Sequence, residues 1–295
     1  MPGIPVPAST AAAELDKARA GDVRALARLL SLVEDESPAV RSVIKDLLPA
    51  TGGARIIGLT GSPGVGKSTV TSALLGDRIR MQEHAADEGV FIRSMASRGH
   101  LGGLAASTPQ AIRVLDAAGF ELIIIETVGV GQAEVAIASL ADSVVVLLAP
   151  GMGDAIQAAK AGILEVADLF VVNKADKPDA QQVVRDLRNM IALADRTEGD
   201  WKPPIVSTVA TKGAESEGIQ ELVSRLNQHW SWLSDTGELK HRRLARAREE
   251  LTALAFAALR GRLAASRLDE LAGQVADGTL DPFQAADELL NQRLG

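Results

Sequence analysis

The chain has 295 residues, of which 46% are hydrophobic, and its formal net charge is −7. This length fits one α/β core with helical additions. The sequence contains no cysteine, which excludes disulfides, thiol catalysis and Cys-ligated zinc. The acidic charge argues against bulk attraction to nucleic acid or anionic lipid. No apolar run approaches the ~18 residues that span a bilayer, and the N-terminus lacks a secretory pattern. We therefore expect a soluble, cytoplasmic protein with no nucleic-acid or membrane partner.

Residues 1–50 are expected to form a helical N-terminal extension. Apolar residues recur there at helical spacing between Thr10 and Leu48. Gly21 or Asp22 can open the second helix, and Pro38 suits the first turn of the third.

Residues 51–234 are expected to form the core domain. Short β-branched runs alternate there with helical patterns, and the candidate strands are residues 55–60, 90–94, 121–126, 143–148, 169–173 and 205–209. Most of these runs are almost continuously apolar, which is typical of parallel strands covered by helices on both faces. Helices are expected over residues 109–118, 154–166 and 180–193. The predicted fold is a doubly wound α/β domain with a mainly parallel sheet.

Residues 235–295 are expected to form a helical C-terminal arm. One long helix is predicted over residues 238–263, and Asp281 and Pro282 can begin a last helix that ends near Leu290. The Leu- and Ala-rich surface of this arm needs a partner, which can be a second copy of the chain or its own core. The basic cluster over residues 240–248 is interpreted as a solvated face.

A phosphate-binding loop is predicted between the first strand and the helix that follows it. The pattern G-x-x-x-x-G-K-[ST] is matched in full, and its residues are Gly61, Ser62, Pro63, Gly64, Val65, Gly66, Lys67 and Ser68, followed by Thr69. The glycines allow successive backbone N–H groups to face an anion at a helix N-terminus. Lys67 is expected to reach the β- and γ-phosphates, and the Ser68 hydroxyl is expected to bind Mg²⁺.

An acidic residue, Glu126, and a glycine-containing loop follow the strand that ends near residue 125. The carboxylate of Glu126 can hold Mg²⁺ through water, and the N–H of Gly129 can contact a γ-phosphate, which makes this loop a candidate switch. Candidates for positioning the attacking water are Gln132 and Glu126 itself.

A guanine-reading motif is predicted at the tetrapeptide Asn-Lys-Ala-Asp over residues 173–176. Asp176 can accept from guanine N1–H and from the 2-amino group, which adenine cannot match. Asn173 either meets the N7/O6 edge or braces the loop, and the stem of Lys174 covers the base. The backbone N–H of Ala210 is a candidate donor to guanine O6. Together the motifs predict GTP and GDP as ligands and GTP hydrolysis as the reaction.

The chain resembles the MeaB/ArgK GTPases from about residue 10 to the C-terminus. The resemblance is carried by residues 61–69, 76–81, 91–94, 101–104, 126–132, 150–154 and 173–176. It implies a homodimer, with the C-terminal arm as dimerisation element. It also implies a chaperone for methylmalonyl-CoA mutase, a B12-dependent acyl-CoA mutase, which gates adenosylcobalamin loading and protects the enzyme. Which mutase is the partner does not follow from the sequence.

One segment departs from this family. The resemblance implies a longer helix after the phosphate loop, then a strand and a magnesium-site aspartate, but here the chain passes from Leu75 directly to Gly76 and Asp77. Either the segment is deleted, or the numbering closes over residues absent from this sequence. We favour the second explanation, because losing a core strand should damage the sheet. A Cα–Cα step far above ~3.8 Å within residues 72–77 would support it. A true deletion predicts weak magnesium binding and poor hydrolysis.

The sequence bears on three alternative functions. A nickel-insertion GTPase needs clustered His or Cys ligands, whereas the chain has no cysteine and four scattered histidines, His84, His100, His229 and His241. A protein-targeting GTPase of the signal-recognition type would carry different switch and base motifs. A nucleotide-dependent scaffold with impaired hydrolysis is kept open by the missing aspartate.

Overall fold

The computed structural model describes residues 8–35, 40–76, 89–95, 107–127, 136–151, 164–193, 197, 199–264 and 267–291. Its centre is a five-stranded sheet with the order β2-β1-β3-β4-β5. The strands are β1 (Arg55–Thr60), β2 (Leu122–Glu126), β3 (Ser143–Leu148), β4 (Leu169–Val172) and β5 (Ile205–Ser207). Every neighbouring pair is parallel. All residues of β3 and β4 are buried, which accounts for their continuous apolar sequences.

The described helices are α1 (Ala8–Arg19), α2 (Val23–Glu34), α3 (Val40–Leu47), α4 (Lys67–Leu74), α5 (Thr108–Ala117), α6 (Leu164–Val166), α7 (Ala180–Leu193), α8 (Glu217–Asp235), α9 (Glu238–Ala264), α10 (Leu268–Ala276) and α11 (Pro282–Asn291). Alternate sheet residues enter two separate cores. Val146 and Phe170 pack with α7, whereas Val145 and Val171 pack with α4 and α8. Helices therefore cover both faces, and the predicted doubly wound α/β fold is confirmed.

The N-terminal helices form a third apolar core with α5. Leu29 and Leu30 of α2 pack there against Val114 of α5. Of the two residues expected to open α2, Gly21 and Asp22, it is Asp22 that caps the helix by accepting from two backbone N–H groups. The carboxylate of Asp116 on α5 accepts from the N–H groups of residues 52 and 54, so this helix also fixes the entry to β1.

The predicted strand over residues 90–94 is wrong, because residues 91–95 are irregular. Their side chains contact the N-terminal helices instead of the sheet. Phe91 and Met95 pack against the helical core, and Arg93 forms an ion pair with Glu34 of α2. An apolar segment can thus be recruited by a neighbouring helix layer without entering the sheet.

The chain divides into two compact units, Met1–Leu239 and Lys240–Gly295. In the second unit, Asp281 accepts from the backbone N–H groups of Phe283 and Gln284 and so caps α11, as expected. Helix α10, which the sequence analysis did not identify, packs with α11. None of the helices in the described ranges is long and apolar enough to cross a bilayer.

Helix α4 ends where the family resemblance is interrupted. The N–H of Leu75 donates to Thr71 O, and the N–H of Gly76 donates to Ala73 O, so the chain leaves α4 through an ordinary helix end. Gly76 has a φ of +85°, which is typical of a glycine that terminates a helix. The next peptide, to Asp77, lies outside the described residues, and the preference for omitted residues stays a prediction.

Candidate functional site

The phosphate loop lies between β1 and α4 and has a backbone that requires glycine. Gly61, Gly64 and Gly66 have φ values of +140°, +81° and +95°. A Cβ atom at Gly61 would lie 2.2 Å from the carbonyl oxygen of Leu147, and one at Gly66 would lie 2.5 Å from Asn173 Nδ2. Two of these glycines are therefore fixed by close neighbours as well as by backbone conformation.

The N-terminus of α4 offers its backbone N–H groups to this loop. Its first residues are Lys67, Ser68 and Thr69, and no side chain in the described part of the chain caps the helix at Gly66. First-turn N–H groups have no intrahelical partner and carry a partial positive charge. This geometry suits an anion such as a phosphate.

Lys67 supplies a cation at the same place. Its side chain is 93% buried, and Nζ donates to Gly61 O at 2.7 Å and to Ser62 O at 3.2 Å. Pro63 is exposed, whereas Val65 is fully buried in the core shared by α4 and α8. The loop is thus anchored by one apolar side chain while its charged groups line one surface.

Glu126 lies beside the phosphate loop, because β2 pairs with β1 and Glu126 is in register with Leu59. Ser68 Oγ donates to Glu126 Oε1 at 2.6 Å, and Thr71 Oγ1 donates to Oε2 at 3.0 Å. The structure therefore brings together the two residues predicted to serve a magnesium ion. Gly129 and Gln132, the other predicted residues of this element, lie outside the described residues.

The residues around Ser68 and Glu126 fit magnesium by donor chemistry, because hydroxyl and carboxylate oxygens are ligands that Mg²⁺ accepts. Among the described residues, no group of three or more His, Cys, Asp or Glu side chains could hold a metal ion. Mg²⁺ commonly takes several further ligands from phosphate oxygens and water.

Asn173 ties three segments of the site together. Its Nδ2 donates to Val65 O at 2.9 Å, and its Oδ1 accepts from Thr208 Oγ1 at 3.1 Å and from the N–H of Ala210 at 3.2 Å. The residue is 97% buried. Asn173 was expected either to meet the N7/O6 edge of guanine or to brace the loop. These contacts support the second role. The Ala210 N–H, predicted as a donor to guanine, lies beside Asn173 and already donates to it.

Lys174 and Asp176 follow on the turn after β4. Lys174 is a non-glycine residue with φ of +56°, a conformation that costs on the order of 1 kcal/mol. Its Nζ donates to Gly64 O at 2.8 Å, so its side chain reaches from this turn to the phosphate loop. Asp176 is exposed two residues further on. A strained turn thus places a carboxylate at the same sheet edge as the phosphate loop.

Two residues of the site were missed by the sequence analysis. Thr71 contacts Glu126, and Thr208 contacts Asn173. Thr71 could have been found, because it lies three residues after Ser68 and so shares its face of α4. Thr208 has no comparable signal, since its role depends on where β5 ends relative to β4.

Comparisons with known proteins identify a family and several relatives of this chain. The family model for the methylmalonyl-CoA mutase-associated GTPase MeaB matches residues 26–75 and 71–267. The chain is 42% identical to a Pyrococcus abyssi protein named as a candidate GTPase, over 95% of this chain and 96% of that protein. It is 32% identical to the GTPase ArgK of Escherichia coli, over 79% and 80%. A crystal structure of a LAO/AO transport system kinase is 25% identical and superimposes with a TM-score of 0.73, covering 97% of this chain and 98% of that one.

The same comparisons locate the interruption of the family pattern. The two matched segments meet at residues 71–75, at the end of α4. The alignment with the Pyrococcus abyssi protein spans 314 residues, more than this whole chain contains. That relative therefore carries positions that have no counterpart here.

The contact between Gly66 and Asn173 gives a testable prediction about the stability of the site. Gly66→Ala should lower the free energy of unfolding by about 3 kcal/mol, because about 1–2 kcal/mol of left-handed strain adds to the loss of buried Asn173 hydrogen bonds. Gly21→Ala is the matched control, since Gly21 has φ of +91° but open space around its Cβ position. It should cost only the strain. Equal losses in chemical denaturation would contradict the prediction.

Proposed function

Because the chain belongs to the MeaB family of methylmalonyl-CoA mutase-associated GTPases, we propose that its nucleotide cycle serves a B12-dependent acyl-CoA mutase. In this proposal the protein binds the mutase, gates the loading of adenosylcobalamin and protects the enzyme. The observation that carries the nucleotide part is the hydrogen bond from Asn173 to Val65 O, which joins the base motif to the phosphate loop.

The phosphate loop holds the nucleotide phosphates in this proposal. Backbone N–H groups of residues 61–69 surround the phosphates, and the Lys67 ammonium moves from two carbonyl oxygens of its own loop to the more strongly accepting phosphate oxygens. Ser68 and Glu126 would hold Mg²⁺, which supplies neutralisation of the charge that develops on the phosphates. The Gly129 N–H senses the γ-phosphate, and Gln132 or Glu126 positions the attacking water.

The base motif selects guanine. Asp176 is exposed at the turn after β4, where its two oxygens can accept from N1–H and the 2-amino group. Adenine has an unprotonated N1 and no 2-amino group, so it would leave the carboxylate unpaired, and this costs far more than the loss of one methyl contact. Lys174 covers the base with its stem while its Nζ stays on Gly64 O.

Asp176→Asn tests the guanine assignment. The amide no longer accepts two bonds from guanine but can donate to the 2-oxo group of xanthine. We expect the affinity for GDP to fall by about 100-fold or more, and the affinity for xanthosine diphosphate to rise. Calorimetry with both nucleotides measures the exchange, and Asp186→Asn on α7 is the control. Unchanged GDP affinity, or wild-type protein that binds ADP as tightly as GDP, would contradict the assignment.

The proposal of a mutase partner is supported by the family and by one relative. The family model is named for association with methylmalonyl-CoA mutase. A mouse protein named methylmalonic aciduria type A homolog, mitochondrial, is 33% identical over 63% of this chain and 52% of that protein. A chaperone cycle requires that the mutase bind the GTP and GDP states with different affinity, because a partner with equal affinity cannot be switched.

Capture of methylmalonyl-CoA mutase from the source organism tests this partner. The immobilised chain should retain amounts that differ about fivefold or more between GDP and a non-hydrolysable GTP analogue, which corresponds to a coupling of about 1 kcal/mol. Lys67→Ala should abolish the difference, and Lys45→Ala, an exposed lysine on α3, should keep it. No retention with either nucleotide would exclude methylmalonyl-CoA mutase as the partner.

The C-terminal arm supports a homodimer in this proposal. Leu244, Leu251 and Leu254 on α9 are 49%, 67% and 53% exposed, and their spacing puts them within one face of the helix. An apolar helix face of this kind gains most by packing against a partner, and a second copy of the chain offers the same face.

A double substitution on this face tests the dimer. Leu251→Asp with Leu254→Asp should convert the protein to a monomer, because two carboxylates would be buried without partners. Ala253→Asp lies on the opposite side of α9 and should leave the dimer intact. Sedimentation of both variants measures the outcome, and a wild-type monomer at assay concentrations would exclude the dimer.

A further inference from the structure

Thr71 holds the second oxygen of the Glu126 carboxylate, and this contact has no part in the motif that defines the phosphate loop. Ser68 Oγ donates to Oε1 at 2.6 Å, and Thr71 Oγ1 donates to Oε2 at 3.0 Å. Since Ser68 and Thr71 lie three residues apart on α4, both hydroxyls face the end of β2. The carboxylate is thus oriented by two donors from one helix.

The two donors differ in their surroundings. Ser68 is exposed at the first turn of α4, whereas Thr71 is 95% buried one turn later. The Thr71 hydroxyl also lies 3.1 Å from Lys67 O. A hydroxyl has one proton, so these two acceptors compete for it, and the ionised carboxylate is the stronger acceptor. Lys67 O, in contrast, can accept the helical N–H bond from residue 71.

In the proposed function, Ser68 contacts Mg²⁺ directly and Thr71 does not. When Ser68 binds Mg²⁺, a lone pair of its hydroxyl oxygen goes to the metal, and its proton can still be donated to Glu126 Oε1. Thr71 lies too far along α4 to be drawn into the phosphate loop, so its bond can persist. Thr71 is then the donor whose oxygen is not shared with the metal, and it holds Glu126 Oε2 independently of the Ser68 contact.

We infer that Thr71 is a positioning residue that holds Glu126 in the orientation required for magnesium binding. This inference rests on the proposed magnesium site at Ser68 and Glu126. Residues that orient a metal ligand through a hydrogen bond commonly change metal affinity by 10–100-fold when they are removed. Thr71 therefore tunes the concentration of Mg²⁺ at which the protein holds its nucleotide tightly.

The test compares Thr71→Val, which keeps the shape but removes the hydroxyl, with Thr71→Ser, which keeps the hydroxyl. The affinity for a fluorescent GDP analogue is measured in EDTA and across a Mg²⁺ titration. Thr71→Val should raise the Mg²⁺ midpoint by about tenfold and leave the affinity in EDTA unchanged. Thr71→Ser should stay within about twofold of the wild type. An unchanged midpoint in Thr71→Val, or an equal shift in both variants, overturns the inference.

A double substitution separates positioning from packing. In a Glu126→Gln background the effect of Thr71→Val on the Mg²⁺ midpoint should shrink to less than about twofold, because the oriented carboxylate is gone. An undiminished effect in that background would assign Thr71 a packing role and overturn the inference.

Binding of the GDP analogue by the wild-type protein distinguishes failure of this inference from failure of the proposed function on which it rests. Wild-type protein that does not bind the GDP analogue overturns the proposed function and the inference together. Wild-type protein that binds it with a clear Mg²⁺ dependence supports the site, and the Thr71 variants then decide the inference alone. Should Thr71→Val not fold, the Mg²⁺ midpoint of Thr71→Ser still decides, since a shift above about twofold contradicts the inference.

Discussion

The site depends on one buried amide. Asn173 makes three hydrogen bonds to Val65, Thr208 and Ala210, each worth about 1 kcal/mol net but more when a buried partner is left unpaired. Because these bonds join three separate segments, the phosphate loop and the base motif cannot move independently. The same amide forces glycine at position 66, since any Cβ there would meet Nδ2 at 2.5 Å. A single side chain thus joins the two predicted nucleotide-binding segments and restricts the residue type at position 66.

The two edges of the parallel sheet have different polar chemistry. At the carboxyl edge, β1, β2 and β4 present groups that a ligand can reach, as expected for an open α/β sheet. At the amino edge, Asp142 accepts from the N–H of Ile56, and Asp168 accepts from the N–H of Val144. His229 also bonds Ser143 there, but both residues are fully buried, so this Ser–His–Asp array is a structural network without access for a substrate.

The five strands of the sheet and the turn geometry of residues 61–68 were predictable because their signals are local. A continuous apolar run gives a buried parallel strand, and the phosphate loop is set by glycine positions within one turn. The strand predicted over residues 90–94 is wrong because an apolar side chain can pack against helices as well as against a sheet. Phe91 packs against the core of the N-terminal helices. The bracing role of Asn173 and the contact of Thr71 with Glu126 depend on the register between β1, β2 and β4. Pairing register is a tertiary property that no local pattern in this sequence records.

The charged groups of the phosphate loop are held in place by hydrogen bonds within the fold. Lys67 donates to two carbonyl oxygens of its own loop, and Lys174 donates to a third at Gly64. In the proposed function, a phosphate would replace the neutral acceptors of Lys67 by charged ones, which are stronger, while the Asn173 bonds and the Lys174 bond can stay. The backbone strain at Lys174 is offset by contacts within the fold. In that proposal, the contacts that hold the loop lower the free-energy cost of ordering it when a phosphate binds.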